Sequence, residues 1–281
     1  MAQKKVFKIS DEQIKTMYLE GNSLNDIAKI AQDTKGLMAL RQRLIDLGVD
    51  TTKDMKRYKE KISKYSKKYK VKEDVFDCID SEEKAYWLGW YMTDGYNHQT
   101  RNCVALRLQE KDREILEKLR TFLETDAPIY TFTRNSGRYV ELNVCSSRIS
   151  NSLANLGVVQ HKVYNKRIPD IEYKYIRSFL RGYFDGDGCI SITHRKDRGE
   201  NSKTYQVTFT GNEEPMLFIE QVLRKELGIS YRQLQPHNKS YTLHYSGRNV
   251  CTKILNWLYK DATIYLQRKF NKYKEYCISV E

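Results

Sequence analysis

The sequence lacks several features that would place it in a specialised class of protein. It contains no run of about 18 apolar residues, the length that a membrane-spanning helix needs. None of its 6 cysteines belongs to a C-x-x-C pair, which argues against a zinc knuckle or ribbon. With only 4 prolines and 14 glycines, the chain is neither collagen-like nor of low complexity. We therefore expect packed globular domains whose scattered cysteines are buried and reduced.

The chain has a large excess of positive charge. Its 281 residues carry a formal net charge of +13, which usually indicates a polyanionic partner, either nucleic acid or an anionic membrane. Neither a basic amphipathic helix nor a lipidation signal is found, so nucleic acid is favoured and no membrane partner is expected. The first residues lack the apolar stretch of a signal peptide. We expect an intracellular protein, in the cytoplasm of a bacterium or a phage-infected cell.

Residues 1–52 have the pattern of a small all-α domain. The run Ser10-Asp11-Glu12-Gln13 is typical of a capping box that opens a helix ending near Tyr18, and a second helix opens at Ser23. A third helix is predicted over 36–47, where leucines recur at helical spacing. The three helices resemble a helix-turn-helix module, in which the third helix would enter the major groove of DNA. The candidate contacts are Lys35, Arg41 and Gln42. A helical cap without nucleic-acid contact is the alternative.

Residues 53–79 are predicted to form a basic linker. Lysine and arginine dominate positions 53–72, tyrosines are interleaved, and the apolar face of a packed helix is missing. A segment that follows a phosphate backbone is one interpretation, and a solvated spacer is the other.

The remainder of the chain contains one pattern twice. An apolar helix ends as W-L-G-W-Y-M-T-D-G over residues 87–95 and as L-R-G-Y-F-D-G-D-G over residues 180–188. In both copies two strand-like runs, a helix, two more strand-like runs and a further helix follow. Each copy is therefore predicted as α-β-β-α-β-β-α. A duplicated unit in one chain indicates a pseudo-twofold dimer, so we expect a monomer in solution.

The alternation of apolar and polar residues sets the expected element boundaries. In the first copy, strands are predicted over 96–100, 103–109, 129–134 and 139–145, with helices over 112–123 and 148–156. In the second copy, strands are predicted over 189–193, 204–210, 231–235 and 241–245, with helices over 215–227 and 249–259. The two motif helices are expected to open near Asp80 and near Pro169.

The two motif helices carry small residues at a repeated spacing. Gly89 and Thr93 lie four positions apart, as do Gly182 and Gly186. Small residues at this spacing allow two helix backbones to approach closely, so these four residues are predicted to form a helix interface.

Each motif helix ends in an Asp-Gly pair, and the glycine suits the left-handed turn that often ends a helix. If the two helices pack side by side, Asp94 and Asp187 meet where the helices end. Two carboxylates there face an unfavourable helix dipole as well as each other, and a divalent cation would offset both problems. For either residue alone, an ordinary cap at the end of a core helix is the alternative.

These motifs carry a resemblance to a known family. The segment 180–188 is similar to the LAGLIDADG signature at its apolar, glycine and acid positions, and 87–95 is a more divergent copy with Met92 in place of the first acid. The resemblance is to the two-motif LAGLIDADG homing endonucleases, and it divides the chain into a first half, 80–168, and a second half, 169–281. It implies an α+β fold with a saddle-shaped antiparallel sheet in each half, beside the small N-terminal all-α domain.

The resemblance also implies a function and a set of site residues. It implies a site-specific endonuclease that hydrolyses one phosphodiester in each strand of a long double-stranded DNA site with Mg²⁺ or Mn²⁺. The implied metal site comprises Asp94 and Asp187 with the adjoining Gly95 and Gly188. Lys162 and Lys269 are assigned by position as one catalytic cation per half, and a plain surface charge is the alternative for each.

Sequence readout is expected from polar strand residues that face the DNA. In the first half the candidates are Asn97, Gln99, Arg107, Arg134 and Arg138. In the second half they are Ser191, Thr193, Arg195, Gln206, Thr208, Gln233, Gln235, Thr242 and His244.

Two other functions stay open. One is a DNA-binding transcriptional regulator with a catalytically weak version of the fold, although the presence of both last acids favours catalysis. The other is an intron RNA maturase, which would use the basic linker and the aromatic residues on RNA, although no RNA-binding motif is found. No splicing residues flank the chain. This favours a free-standing or intron-encoded nuclease of a mobile genetic element over an intein.

Overall fold

The computed structural model describes residues 9–31, 37–51, 69–159, 168–194 and 203–278. The chain divides into two compact units, Met1–Tyr65 and Ser66–Glu281. Within the described ranges, no helix has both the length and the apolar character to span a membrane. The predictions for Lys35, Lys162, Arg195 and residues 53–68 of the basic linker lie outside the described residues.

The first unit contains three short helices in its described part, α1 (Asp11–Leu19), α2 (Leu24–Ile30) and α3 (Leu37–Asp46). The predicted capping box is present, because the Gln13 N–H donates to Ser10 Oγ at 3.2 Å and the Ser10 N–H donates to Gln13 Oε1 at 2.9 Å. A small core holds the helices together; it consists of Ile14, Ile27, Leu40, Leu44 and Val49.

The first half of the second unit follows the predicted order of elements. These are α4 (Glu82–Thr93), β1 (Gly95–His98), β2 (Cys103–Gln109), α5 (Arg113–Phe122), β3 (Ile129–Arg134), β4 (Gly137–Cys145) and α6 (Ser147–Asn155). The four strands form an antiparallel sheet in the order β1-β2-β4-β3. Alternate residues, such as Val104, Leu106 and Leu108 of β2, are buried against the helices. The other face of the sheet is therefore left open.

The second half repeats this arrangement. Its elements are α7 (Ile176–Asp187), β5 (Cys189–His194), β6 (Lys203–Gly211), α8 (Glu213–Leu227), β7 (Gln235–His237), β8 (Ser240–Ser246), α9 (Arg248–Tyr259) and α10 (Gln267–Ile278). The sheet order is β5-β6-β8-β7, which is the order of the first half. The prediction of a duplicated α-β-β-α-β-β-α unit in an α+β fold is confirmed.

The second half differs from the sequence prediction in three places. The strand predicted over 231–235 is found at Gln235–His237, because Asn238 adopts a left-handed conformation (φ 53°) in a two-residue hairpin that fixes the pairing with β8. The helix α7 begins after a 3-10 turn at Tyr173–Tyr175, later than the start expected near Pro169. The helix α10 was not predicted, since its sequence is strongly polar.

One pair of cysteines departs from the expectation of reduced thiols. Cys103 and Cys145 face each other as register partners on β2 and β4 and form a disulfide, with their Cα atoms 4.0 Å apart. Their separation of 42 positions hides this pairing in the sequence. Cys251 is a buried free thiol, as expected, whereas the free thiols of Cys78 and Cys189 are exposed.

Candidate active site and open sheet faces

The motif helices α4 and α7 pack against each other along their lengths, and glycines make this contact close. A side-chain carbon at Gly89 would overlap the carbonyl oxygen of Phe179, and one at Gly182 would overlap that of Tyr86. One at Gly186 would overlap the hydroxyl of Thr93. The structure thus places Gly89, Thr93, Gly182 and Gly186 at the helix contact, with backbone meeting backbone.

This packing brings the two terminal aspartates to the same end of the helix pair. The contacts pair Tyr86 with Gly182 and, further along, Thr93 with Gly186, so Asp94 and Asp187 follow directly on neighbouring helix ends. Asp94 is exposed and Asp187 is half-buried, so both carboxylates lie at the surface. The first strand of each sheet begins one or two residues after them, at Gly95 and at Cys189.

The glycines after the aspartates are needed for space and not for a left-handed turn. Gly188 is extended, with φ −84° and ψ 160°, and Gly95 is absent from the residues with positive φ. A side-chain carbon at Gly95 would overlap Tyr91, and one at Gly188 would overlap Phe184. The prediction of a left-handed turn at these two positions is therefore wrong, because it is steric closeness to the helix that excludes a side chain.

The first acid of the second motif is buried and belongs to a polar network. Asp185 is 0 % exposed and accepts hydrogen bonds from Tyr86 Oη at 2.8 Å, Tyr259 Oη at 2.5 Å and the Leu266 N–H at 2.8 Å. Burial raises the pKa of Asp185, against the opposing effect of the Lys269 ammonium and these hydrogen bonds. Met92, buried in the core, occupies the equivalent place in the first motif. Asp185 therefore joins helices and is not positioned at the surface beside Asp187.

Lys269 lies beside the end of α7. Its side chain is buried, and Nζ donates to the carbonyl oxygen of Asp185 at 2.9 Å and to that of Phe184. Burial lowers the pKa of Lys269 to about 8, although the carboxylates of Asp185, Asp94 and Asp187 act in the opposite direction. The interpretation of Lys269 as a plain surface charge is thus wrong. Its ammonium is held within electrostatic reach of both terminal aspartates.

Sequence reasoning missed the contacts that fix this end of the molecule. Arg181 is buried in α7 and donates from Nε to the Ile264 carbonyl oxygen at 3.0 Å and from Nη1 to that of Leu258 at 3.2 Å. Burial lowers the pKa of Arg181. The signal available in the sequence was the arginine itself, a charged residue within an otherwise apolar helix face.

The start of α10 also joins the second half to the first. Lys118 Nζ donates to the Tyr265 carbonyl oxygen at 2.9 Å, the Gln267 N–H donates to Glu114 Oε1 at 2.7 Å, and Arg268 Nε donates to Asp112 Oδ1 at 2.8 Å. These bonds connect residues next to Lys269 with α5 and the turn before it. The position of Lys269 is consequently set by both halves.

The open face of the first sheet carries some of the predicted DNA contacts. Arg107 and Arg134 lie on it together with aromatic side chains, and Gln99 is exposed in the turn after β1. The prediction that Asn97 contacts DNA from this face is wrong. Asn97 faces the core, where its amide donates to the carbonyl oxygens of Ser150 at 2.8 Å and Val158 at 2.9 Å.

Arg138 was also predicted to contact DNA from the open face, and it does not lie on that face. It pairs in register with Thr133, on the face opposite to that of Arg107, and forms an ion pair with Glu110 at 3.0 Å. Asn97 and Arg138 lie off the open face because successive residues of a strand point to opposite faces of the sheet.

The open face of the second sheet is lined by hydroxyls and amides. In register, Ser191 lies opposite Gln206, and Thr208 lies opposite His244, with Thr208 Oγ1 and His244 Nδ1 3.3 Å apart. The predicted contacts that share this face are Ser191, Thr193, Gln206, Thr208, Gln235, Thr242 and His244. Gln233 is exposed in the loop before β7.

In the first unit, the two described candidates on α3 differ in exposure. Gln42 is exposed, with Nε2 3.0 Å from Asp46 Oδ1. Arg41 is half-buried, and its Nε donates to Thr51 Oγ1 at 3.2 Å. Gln42 is thus the more accessible of the two.

Comparisons with known proteins find similarity in the sequence of the second half and in the overall fold. Residues 174–256 match the family model of the LAGLIDADG-like domain. The I-LtrWI LAGLIDADG homing endonuclease, solved bound to target DNA, has 11% sequence identity and a TM-score of 0.50, covering 74% of this chain and 90% of that one. The meganuclease I-SmaMI, solved bound to uncleaveable DNA, has 14% identity and a TM-score of 0.49, covering 69% of this chain and 87% of that one.

A curated relative shares sequence with part of the chain. The DNA-directed RNA polymerase subunit Rpo1C of Methanocaldococcus jannaschii is 28% identical over 126 residues, which are 42% of this chain and 14% of that protein. The match thus spans a small fraction of that relative's length.

Proposed function

This chain contains a LAGLIDADG-like domain within the fold of the LAGLIDADG homing endonucleases, and from this we propose that it is a site-specific DNA endonuclease. The proposed reaction is hydrolysis of one phosphodiester in each strand of a long double-stranded site. The observation that carries the proposal is the glycine-lined contact of α4 and α7, which sets Asp94 and Asp187 at neighbouring helix ends beside Lys269. The stability of the fold does not favour two carboxylates at these helix ends, because they repel each other and oppose the helix dipoles.

The terminal aspartates fit a divalent cation such as Mg²⁺ or Mn²⁺. Magnesium is commonly held by one or two carboxylates, with water and substrate phosphate oxygens as its other ligands. Among the described residues no group of three or more His, Cys, Asp or Glu side chains is placed to hold a metal, so the phosphate would complete the site. A cation there would lower the pKa of a bound water and stabilise the leaving oxygen. Asp94 and Asp187 would hold it, next to the backbones of Gly95 and Gly188.

The other residues of the site would act by charge and position. The Lys269 ammonium, held by two helix-end carbonyls, would favour the negative charge that develops on the phosphate. Each open sheet face begins next to one of the aspartates, so a duplex lying along both faces would pass the carboxylates. The net charge of +13 favours this partner, because each phosphate contact releases bound counterions.

The first experiment is cleavage of a randomised double-stranded DNA library with Mg²⁺, comparing the intact chain with Asp187→Asn. We expect the intact chain to break both strands at one long site. We expect Asp187→Asn to bind that site without breaking both strands, because the substitution removes a ligand charge and keeps the shape. Asp170→Asn, which changes an exposed acid ahead of α7, is the matched control and should cut normally.

Two outcomes would replace the proposal. Tight duplex binding without cutting by either protein would favour a DNA-binding regulator. Preferential binding of structured intron RNA, again without DNA cutting, would favour a maturase.

A further inference from the structure

Three side chains form an ordered cluster on the open face of the first sheet. Arg107 on β2 lies opposite Glu141 on β4, and its Nε donates to Glu141 Oε2 at 2.7 Å. Its Nη2 pairs with the same oxygen at 2.5 Å. The guanidinium carbon lies 5.1 Å from the ring centre of Phe132 on β3. Contacts to a carboxylate and to a ring together fix the plane of this guanidinium.

The carboxylate occupies one particular edge of the guanidinium. An arginine has five N–H donors in a rigid planar fork, and Glu141 engages the edge formed by Nε and Nη2. The end formed by Nη1 and Nη2 is not the edge that this carboxylate occupies, and two donors at that end can bind guanine O6 and N7 in the major groove. The Arg107 side chain is 41% exposed and that of Glu141 is 19% exposed, so the guanidinium is the outer member of the pair.

The charges of this cluster are better suited to recognition of a base than to electrostatic attraction of phosphates. A carboxylate beside the arginine offsets most of its electrostatic attraction to phosphates. Attraction of this kind dominates sequence-independent binding to DNA. Because the arginine is 41% exposed, solvent screens this ion pair, and its contribution to the stability of the fold is modest. Holding one side chain in one orientation is what the arrangement does well.

We propose that Arg107 reads a single guanine in the half-site that lies on the first sheet, with Glu141 and Phe132 as its positioning residues. The inference rests on the proposed function, because it requires this face to lie in the major groove of DNA.

Arg134 provides a matched control on the same face. Its guanidinium carbon lies 5.5 Å from the ring centre of Phe132, and among the described residues it has no ion pair with a carboxylate. Its charge is therefore not cancelled as that of Arg107 is. We therefore expect Arg134 to act mainly through phosphate attraction, which carries no sequence information.

The experiment measures binding of the full chain, in EDTA, to its selected duplex and to duplexes with each base pair substituted in turn. The intact chain should prefer G·C at one position of the first half-site by about 5- to 150-fold. Arg107→Ala should lose the preference there and keep it elsewhere. Glu141→Gln should reduce the same preference while binding unrelated DNA more tightly, since one negative charge is removed.

Arg134→Ala should weaken binding to all duplexes by a similar factor and reduce the slope of log affinity against log salt by about 1. Circular dichroism and thermal unfolding establish that each variant is folded. If Arg107→Ala binds the duplex with an unchanged base profile, the proposal is overturned while the DNA-binding function stands. If Glu141→Gln matches the intact chain in both readouts, the positioning role is overturned. If the intact chain binds no duplex, the proposed function fails and this inference with it.

Discussion

The contact between the motif helices depends on single atoms. At Gly182 a side-chain carbon would meet the carbonyl oxygen of Tyr86, which is backbone and cannot rotate away. At Gly186 it would meet the Thr93 hydroxyl and the atoms next to it, which belong to a side chain. The two glycines thus serve the same contact but differ in how far their surroundings can yield.

We expect Gly182→Ala to lower the free energy of unfolding by about 3 kcal/mol, at the upper end of the range that overpacking typically costs, because the backbone it meets cannot yield. Gly186→Ala should cost less, since Thr93 can shift. Urea unfolding of the two variants and the intact chain measures both changes. A Gly182→Ala variant as stable as the intact chain would contradict the backbone contact.

The buried ammonium of Lys269 makes stability depend on pH. Its pKa is lowered to about 8 by burial, from an ordinary value of 10.5. Below pH 8 both folded and unfolded chains hold the proton, so the contribution is constant. Between pH 8 and about 10.5 the unfolded chain binds more protons at this residue, so stability rises with pH.

We therefore expect the intact chain to gain stability relative to Lys269→Met as pH rises from 8 to 10, by at most about 1.4 kcal/mol per pH unit. Methionine is the control because it keeps much of the volume and cannot titrate. Urea unfolding at a series of pH values compares the two proteins. Parallel curves would show that Lys269 does not titrate in this window.

At the level of elements, the sequence predicts helices and strands that a local pattern of residues determines. It does not predict features that depend on how strands pair. The strand Cys103–Gln109 lies where it was predicted, because alternation of apolar residues marks it. The strand β7 is displaced because a hairpin residue, Asn238, sets its register. The Cys103–Cys145 pairing depends on strand order, which alternation does not specify.

The same division applies to the candidate site. The two Asp-Gly ends and the small-residue spacing are local and could be predicted from the sequence. The burial of Lys269 and the inward direction of Asn97 depend on packing between distant elements. Their roles therefore required the fold.

The link between α10 and the first half gives a prediction at this scale. Arg268 pairs with Asp112, whose side chain is only 7% exposed, so Arg268→Ala leaves a carboxylate without its partner in a largely dry place. We expect a loss of about 1–3 kcal/mol in the free energy of unfolding. Arg113→Ala is the control: its partner Glu117 is exposed, and its loss should be below about 0.5 kcal/mol. Equal losses in thermal or urea unfolding would argue against a structural link at Arg268.

For the whole molecule, the duplication predicts the assembly state. The two halves already pair through α4 and α7, so the surface that would join two copies is occupied within one chain. We expect a monomer in sedimentation equilibrium and one chain per duplex when the DNA site is added. A dimer of stable mass across dilution would show that a further interface exists.

The helix contact and the open sheet faces differ in how well they tolerate substitution. At positions 89 and 182 a methyl group would meet backbone atoms that cannot move aside, so we expect substitutions there to be poorly tolerated. The open faces are different, because residues such as Thr193 and Gln235 are exposed and can be exchanged at little cost to the fold. Under the proposed function, single substitutions on the faces would change the DNA target one half at a time, while the helix contact that holds the aspartates stays the same.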